Sequence, residues 1–196
     1  MIRPSERVKR VYHKHIEYFG EPSLSIRYDH PPGSKANEYP PFVDIMVWPP
    51  EPEVEMTTFA SIGMSDKLIP DAEYSVELHF SQQGVLSEET IEKTTIFLAN
   101  LSLYPFMNSL RIDWWHVLAN PGIIPGFSNS TSLMFHPSFV ENGWDSICTD
   151  TVHVKILNVV PITNKERLVL VEQGRAAFQK YLYENEINLF VDRESI

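Results

Sequence analysis

The sequence contains a single cysteine, Cys148, so it cannot form an intrachain disulfide. A reducing compartment suits such a chain. Long apolar runs are also missing: no stretch could span a bilayer, and the N-terminal MIRPSERVKRVYHKH has no signal-peptide core. We therefore expect a cytoplasmic protein with no membrane association.

Basic residues are scarce relative to acidic ones. The chain has 16 Lys and Arg against 26 Asp and Glu, which gives a formal net charge of −10 at pH 7. Proteins that bind nucleic acids usually carry a basic excess that neutralises phosphates. This chain would instead repel a nucleic acid at long range, and we expect no nucleic-acid partner.

Recognisable catalytic and cofactor motifs are absent from the sequence. It has no G-x-S-x-G elbow, no P-loop and no G-x-G-x-x-G, and its eight glycines leave little material for phosphate-binding loops. Two aspartates flank Cys148 closely and should disfavour its thiolate. His13 and His15 would lie about 200° apart on a helix, so they cannot share a metal. We expect no metal, no cofactor and no catalysis, with a hydrolase as the less favoured alternative.

Helical segments are indicated by capping residues and apolar spacing. Ser5 and Gly20 bracket a helix over residues 5–19, and Ser87 begins a second helix that Pro105 should end. The Thr163–Glu166 segment is a capping box that opens a third helix, over residues 164–184.

Strands are indicated by period-two alternation. The clearest case is residues 73–80, where Glu73, Ser75, Glu77 and His79 should face water. The other candidate strands are residues 24–28, 43–48, 56–64, 113–118, 132–135, 152–160 and 188–191. The pattern predicts one α+β domain over residues 1–196, with helices packed on a largely antiparallel mixed sheet and a core from about 25 to 195.

Several segments, in order, resemble the suppressor-of-fused family. Residues 44–48 (DIMVW) and 59–66 (FASIGMSD) resemble the family signature, in which a strand ending in an aromatic residue precedes a small–Gly–hydrophobic–Ser–Asp turn. The later matching segments are residues 74–80, 98–113, 114–116 before the Pro121-Gly122 turn, and 152–166.

The resemblance implies a non-enzymatic protein-binding domain without catalytic residues. The animal member restrains zinc-finger transcription factors and has a second, C-terminal domain, whereas compact single-domain members are bacterial and many look like immunity proteins encoded beside toxins. The resemblance therefore favours a bacterial immunity-type protein that masks a cognate toxin. A regulatory protein that sequesters another cytosolic factor is the alternative. Neither the partner nor the oligomeric state is specified.

Acidic residues are concentrated in the part of the chain that carries this signature. Residues 44–77 contain eight acidic side chains and one basic one, Lys67. We expect this region to bind a basic protein partner, with a toxin domain as the candidate, through aromatic anchors and an acidic rim. The predicted anchors are Trp48 and Phe59, and the predicted rim is Glu51, Glu53, Asp66 and Asp71. The alternative is that the acids form a solvated face and that Phe59, Gly63 and Asp66 only shape a turn.

Overall fold

The computed structural model describes residues 3–30, 38–139, 143–149 and 152–194. Its centre is an eight-stranded sheet with helices on both faces, in a single-domain α+β arrangement. The strands are β1 (Leu24–Asp29), β2 (Phe42–Trp48), β3 (Met56–Ile62), β4 (Ser75–Gln83), β5 (Val117–Ala119), β6 (Ser132–His136), β7 (Ser146–Thr149) and β8 (Val152–Ile162).

The sheet is mixed and mostly antiparallel, as the sequence predicts. Its order is β1-β2-β3-β4-β8-β6-β5, and β7 pairs with the first part of β8. Among the described strands, only β4 and β8 pair in parallel, with Ser75 opposite Val154 and Phe80 opposite Val159. The chain between these two strands contains the α2 helix (Glu88–Met107) followed by β5, β6 and β7, and together they form the long connection that a parallel pair needs.

Helices form where the capping residues predict them. The Ser5 hydroxyl accepts a hydrogen bond from the Val8 amide at the start of α1 (Glu6–Phe19), and Gly20 ends this helix with φ +76°. The predicted capping box is present, because the Thr163 side chain accepts from the Glu166 amide and Glu166 bonds back to Thr163.

Four predicted elements differ from the structure. The strand predicted over residues 113–118 is reduced to β5 (Val117–Ala119), and residues 113–116 lie before it outside any strand. Pro105 does not end α2, which continues to Met107. The predicted helix 164–184 consists of α3 (Asn164–Leu168), a π-helical segment (Val169–Gln173) that continues it, and α4 (Arg175–Glu184). Gly174, with φ +83°, separates the π-helical segment from α4. Residues 188–191 are not a strand; they contact the end of β4 through a 2.9 Å bond from the Gln83 amide to the Phe190 carbonyl and a 2.7 Å bond from the Asn188 side-chain amide to Gln83 Oε1.

Both faces of the central strands are buried. Helix α2 packs on one face, against a core that contains Phe59, Leu78 and Phe80. On the other face α1 covers Met46, Trp48 and Ile62, while α3, α4 and the π-helical segment cover the β6 side of the sheet. The predicted wet face of β4 is therefore wrong for Ser75, Glu77 and His79, which lie at most 5% exposed, beneath α1.

Candidate partner-binding surface

The acidic region divides into two groups at opposite ends of β3. Glu51, Glu53 and Glu55 lie in the β2–β3 turn and are exposed. Asp66, Asp71 and Glu73 lie in the β3–β4 connection, beyond the other end of the strand. A seven-residue strand is about 20 Å long, so the predicted rim is not one continuous patch.

Two acids in this region are committed to internal contacts. Asp44 accepts two 2.8 Å hydrogen bonds from the Arg27 guanidinium on the neighbouring strand. Asp66 accepts a hydrogen bond from Ser5, the N-cap of α1, and so helps to hold that helix on the domain. Neither is as available to a partner as Glu51 or Glu53.

Glu77 is a third internal acid, and it explains the signature turn. Its Oε1 accepts from the Gly63 amide at 2.9 Å and from the Ser65 amide and hydroxyl at 3.0 and 2.6 Å. Its Oε2 accepts from Ser61 at 2.6 Å. Burial nevertheless raises the pKa of Glu77 to about 7, because removing a carboxylate from water outweighs these four bonds. The small–Gly–hydrophobic–Ser sequence thus surrounds the carboxylate of Glu77 on the next strand, β4, with hydrogen-bond donors.

The two predicted aromatic anchors are not exposed. Phe59 is fully buried, with its ring centroid 6.2 Å from that of Phe80, so it cannot contact a partner while the core is intact. Trp48 is 6% exposed on the opposite face, and its indole N–H donates to the Gly20 carbonyl at 2.9 Å. The hypothesis that Phe59 is a surface anchor does not fit this placement; its contribution is to the core.

An aromatic and histidine cluster surrounds Trp48 and went unrecognised in the sequence. The ring centroids of Phe19 and Trp48 are 4.9 Å apart, and those of His15 and Trp144 are 4.7 Å apart. His79 on β4 completes the cluster, with its ring 5.6 Å from Trp144. The i, i+3 and i+4 spacing of His15, Tyr18 and Phe19 was the available signal, since it places all three on one face of α1.

The two histidines form a buried pair. His15 Nδ1 lies 2.8 Å from the Val11 carbonyl, which can only accept, so the hydrogen of the neutral ring is on Nδ1. His15 Nε2 must then accept from His79 Nε2, 2.9 Å away. Burial lowers the pKa of His15 to about 4 and that of His79 well below its ordinary value. Both rings are therefore neutral near pH 7.

A cleft of about 490 Å³ opens between the end of α1 and the β2–β3 hairpin, beside this cluster. Its walls include Tyr18, Phe19 and Trp48. Among the described residues that line the cleft, Glu51 is the one with a charged side chain. A second groove, of about 510 Å³, lies between α2 and the segment after β5 and is lined mainly by apolar side chains such as Ile96 and Ile123. The acidic group at residues 51–55 thus adjoins an aromatic cleft, whereas the group around Asp71 does not line it.

In the four described ranges, no three His, Cys, Asp or Glu side chains come together as potential ligands. Cys148 is exposed and lies 3.8 Å from the Ser146 hydroxyl. Within the same part of the chain, no helix is both long and apolar enough to cross a membrane.

Comparison with known proteins gave a family match and several structural matches. The model of the family described as "Suppressor of fused protein (SUFU)" matches residues 40–194. The structure of a suppressor-of-fused homologue from Neisseria gonorrhoeae superposes with a TM-score of 0.69 at 15% identity, covering 97% of this chain and 96% of the other. No curated protein sequence matches significantly.

Two structures of suppressor-of-fused proteins also superpose. A chain of the Sufu–Fu complex gives a TM-score of 0.60 at 11% identity, covering 94% of this chain and 86% of that one. Drosophila Suppressor of Fused gives 0.60 at 12% identity and 94% coverage of this chain, which spans only 48% of that protein. At these identities the structural matches concern the fold alone.

Proposed function

The chain belongs to the suppressor-of-fused family, and from this membership we propose that it is a non-enzymatic, cytoplasmic protein-binding domain of the immunity type, which binds and masks a basic toxin. A nuclease is a reasonable target, because nucleases need basic surfaces to bind phosphates. Support for a protein partner comes from the related structure of the Sufu–Fu complex, which is a complex between proteins. The proposed extent of the domain is residues 1–196.

One observation carries the choice of surface. Glu51, Glu53 and Glu55 project from a single turn, all are exposed, and in the described part of the chain none pairs with a basic side chain. Charges of one sign at such a tip accelerate association with an oppositely charged partner and act less on the lifetime of the complex. We therefore place the partner at the β2–β3 end of the sheet, with Asp71 at the other end as a weaker contributor.

Co-expression tests the masking role. Where a toxin gene adjoins the gene for this chain, its toxic domain should arrest growth alone and be tolerated together with this protein. The double variant Glu51→Lys/Glu53→Lys should slow association with the purified toxin domain by tenfold or more at low salt, in the range expected for electrostatic steering. The slowing should shrink as added salt screens the charges.

The matched control, Glu92→Lys/Glu172→Lys, reverses two exposed acids elsewhere and changes the net charge by the same amount. It should leave the association rate within about twofold of that of the wild type. If toxin and protein do not bind, or co-expression gives no protection, the immunity role is wrong. If they bind but both double variants slow association equally, only the choice of surface is wrong.

A further inference from the structure

We infer that the cleft between α1 and the β2–β3 hairpin is a pocket for an arginine side chain of the partner protein. This inference rests on the proposed function, because it names the group that a basic partner would insert at the acidic end of the sheet. Its geometric basis is a cleft of about 490 Å³ that is lined by aromatic side chains and by one carboxylate.

The aromatic walls supply ring surface but few polar atoms. Tyr18 is 55% exposed and stands edge-to-face on Phe19, with centroids 4.8 Å apart. Phe19 in turn packs against Trp48, whose indole N–H already bonds to Gly20. The Thr58 hydroxyl at the cleft pairs with Ser81, 3.3 Å away. What these groups offer a ligand is therefore the negative face of aromatic rings, which attracts cations.

The charge at the cleft also selects a cation. Glu51 is exposed and lines the cleft, Glu53 and Glu55 follow within four residues, and no Lys or Arg is among the described lining residues. The remaining lining groups, Val54 and Met56 among them, are apolar. Apolar and aromatic walls beside a carboxylate match a side chain with an apolar stem and a cationic end.

Arginine fits this arrangement better than lysine. Its planar guanidinium stacks on aromatic rings and can present two parallel N–H groups to one carboxylate, whereas the compact lysine ammonium does neither and is more strongly hydrated. Stacking on Trp144, with centroids 4.7 Å apart and an interplanar angle of 21°, orients the Tyr18 ring for such a planar contact.

The test uses the full chain and three peptides, N-acetyl-Gly-Arg-Gly-amide and the same peptide with lysine or citrulline at the centre. Citrulline keeps the shape of arginine and removes its charge. We expect the arginine peptide to shift the Trp48 indole N–H signal saturably in ¹H–¹⁵N NMR spectra. It should bind at least about threefold more tightly than either other peptide, as a cation–π contact near a carboxylate allows.

Two variants and two controls locate the effect. Glu51→Gln and Tyr18→Ala should each weaken the arginine peptide at least about threefold. Glu92→Gln and Tyr183→Ala alter an exposed acid and an 86% exposed tyrosine elsewhere and should leave binding unchanged. Absence of a saturable shift, equal binding of the citrulline or lysine peptide, or indifference to both cleft variants would each overturn the inference.

The arginine-peptide experiment and the toxin-binding experiment can fail independently of each other. If the toxin domain binds wild type and loses association rate in Glu51→Lys/Glu53→Lys, while the arginine peptide does not bind, the acidic surface stands and the arginine pocket fails. If the peptide binds as expected but the toxin ignores both cleft variants, the pocket is not used by that partner and the link between the two is rejected.

Discussion

Strand β4 carries two buried ionisable groups, Glu77 and His79, whose effects on pH-dependent stability oppose each other. His79 acts together with His15 on α1. Burial raises the pKa of Glu77 to about 7, whereas it lowers the pKa of His15 to about 4 and that of His79 well below its usual value. Removing Glu77 should therefore reveal the pH-dependent stability that the two histidines produce, and removing His15 should make the opposite effect of Glu77 more prominent.

The signs follow from proton linkage. The pKa of His15 is lowered on folding, so its contribution to stability is present above pH 6.5 and is lost as pH falls towards about 4. The pKa of Glu77 is raised, so its contribution is present below pH 4.5 and is lost as pH rises through about 7. Each contribution amounts to roughly 3 kcal/mol, since one pKa unit corresponds to about 1.4 kcal/mol.

Glu77→Gln is the informative variant, because the native contacts can accommodate it. The amide oxygen can take the place of Oε1 and accept from Gly63 and Ser65, while the amide nitrogen can donate to the Ser61 hydroxyl. Between pH 5 and 6.5 the slope of unfolding free energy against pH should exceed the wild-type slope by about 1 kcal/mol per pH unit. His15→Gln should reduce the slope by a similar amount.

The assay is urea denaturation followed by tryptophan fluorescence at half-unit pH steps, with Glu92→Gln as an exposed carboxylate control that should retain the wild-type slope. An unchanged slope in Glu77→Gln would mean that Glu77 stays ionised throughout this range, so that its four hydrogen bonds outweigh burial. An unchanged slope in His15→Gln would contradict the neutral, buried histidine pair.

Three substitutions test the core and the signature turn by urea denaturation. Gly63→Ala should lower the free energy of unfolding by about 2 kcal/mol or more, because Gly63 has φ +118° and a Cβ there would lie 2.9 Å from a backbone oxygen of β2. Phe59→Ala should lower the free energy of unfolding by about 3–5 kcal/mol, because it removes a fully buried side chain from the core. Under conditions where this variant remains folded, it should bind the partner as the wild type does. Arg193→Met should lower the free energy of unfolding by about 3 kcal/mol, because it leaves the buried Glu166 carboxylate without its 2.6 Å ion-pair partner. Lys93→Met, which removes the basic partner of an exposed ion pair, should have a much smaller effect. Equal losses for Arg193→Met and Lys93→Met, a mild Gly63→Ala, or a folded Phe59→Ala that loses the partner would contradict these assignments.

Features set by neighbouring residues could be predicted from the sequence. The Ser5 and Ser87 caps and the Thr163–Glu166 capping box depend on hydrogen bonds three residues apart, and each is present. The predicted stop at Pro105 failed because proline removes one amide donor without preventing the residues after it from completing a turn. The bond from the Asn108 amide to the Tyr104 carbonyl, 3.1 Å long, shows this continuation.

Features set by distant contacts could not be predicted. The alternation along β4 correctly placed Glu77 and His79 on one face of the strand. A face made of polar side chains is nevertheless predicted to be solvent-exposed unless the element that packs on it is known. That cover is α1, which contributes His15, 64 residues away in sequence from His79. For the same reason β7 escaped notice, because its four residues form a strand only by pairing with β8.

The acidic region illustrates how sequence proximity and spatial proximity diverge in a hairpin. Counted along the chain, Glu51 and Asp71 belong to one acidic run; in the fold, β3 places them at opposite ends of the sheet. The length of β3, about 20 Å, exceeds the Debye length of about 8 Å at physiological ionic strength, so the two groups act nearly independently on a charged partner. What distinguishes the Glu51 end is the adjoining aromatic cleft, which α1 forms by bringing Tyr18 and Phe19 against the β2–β3 hairpin. We therefore expect a partner that recognises charge and ring surface together to bind at that end.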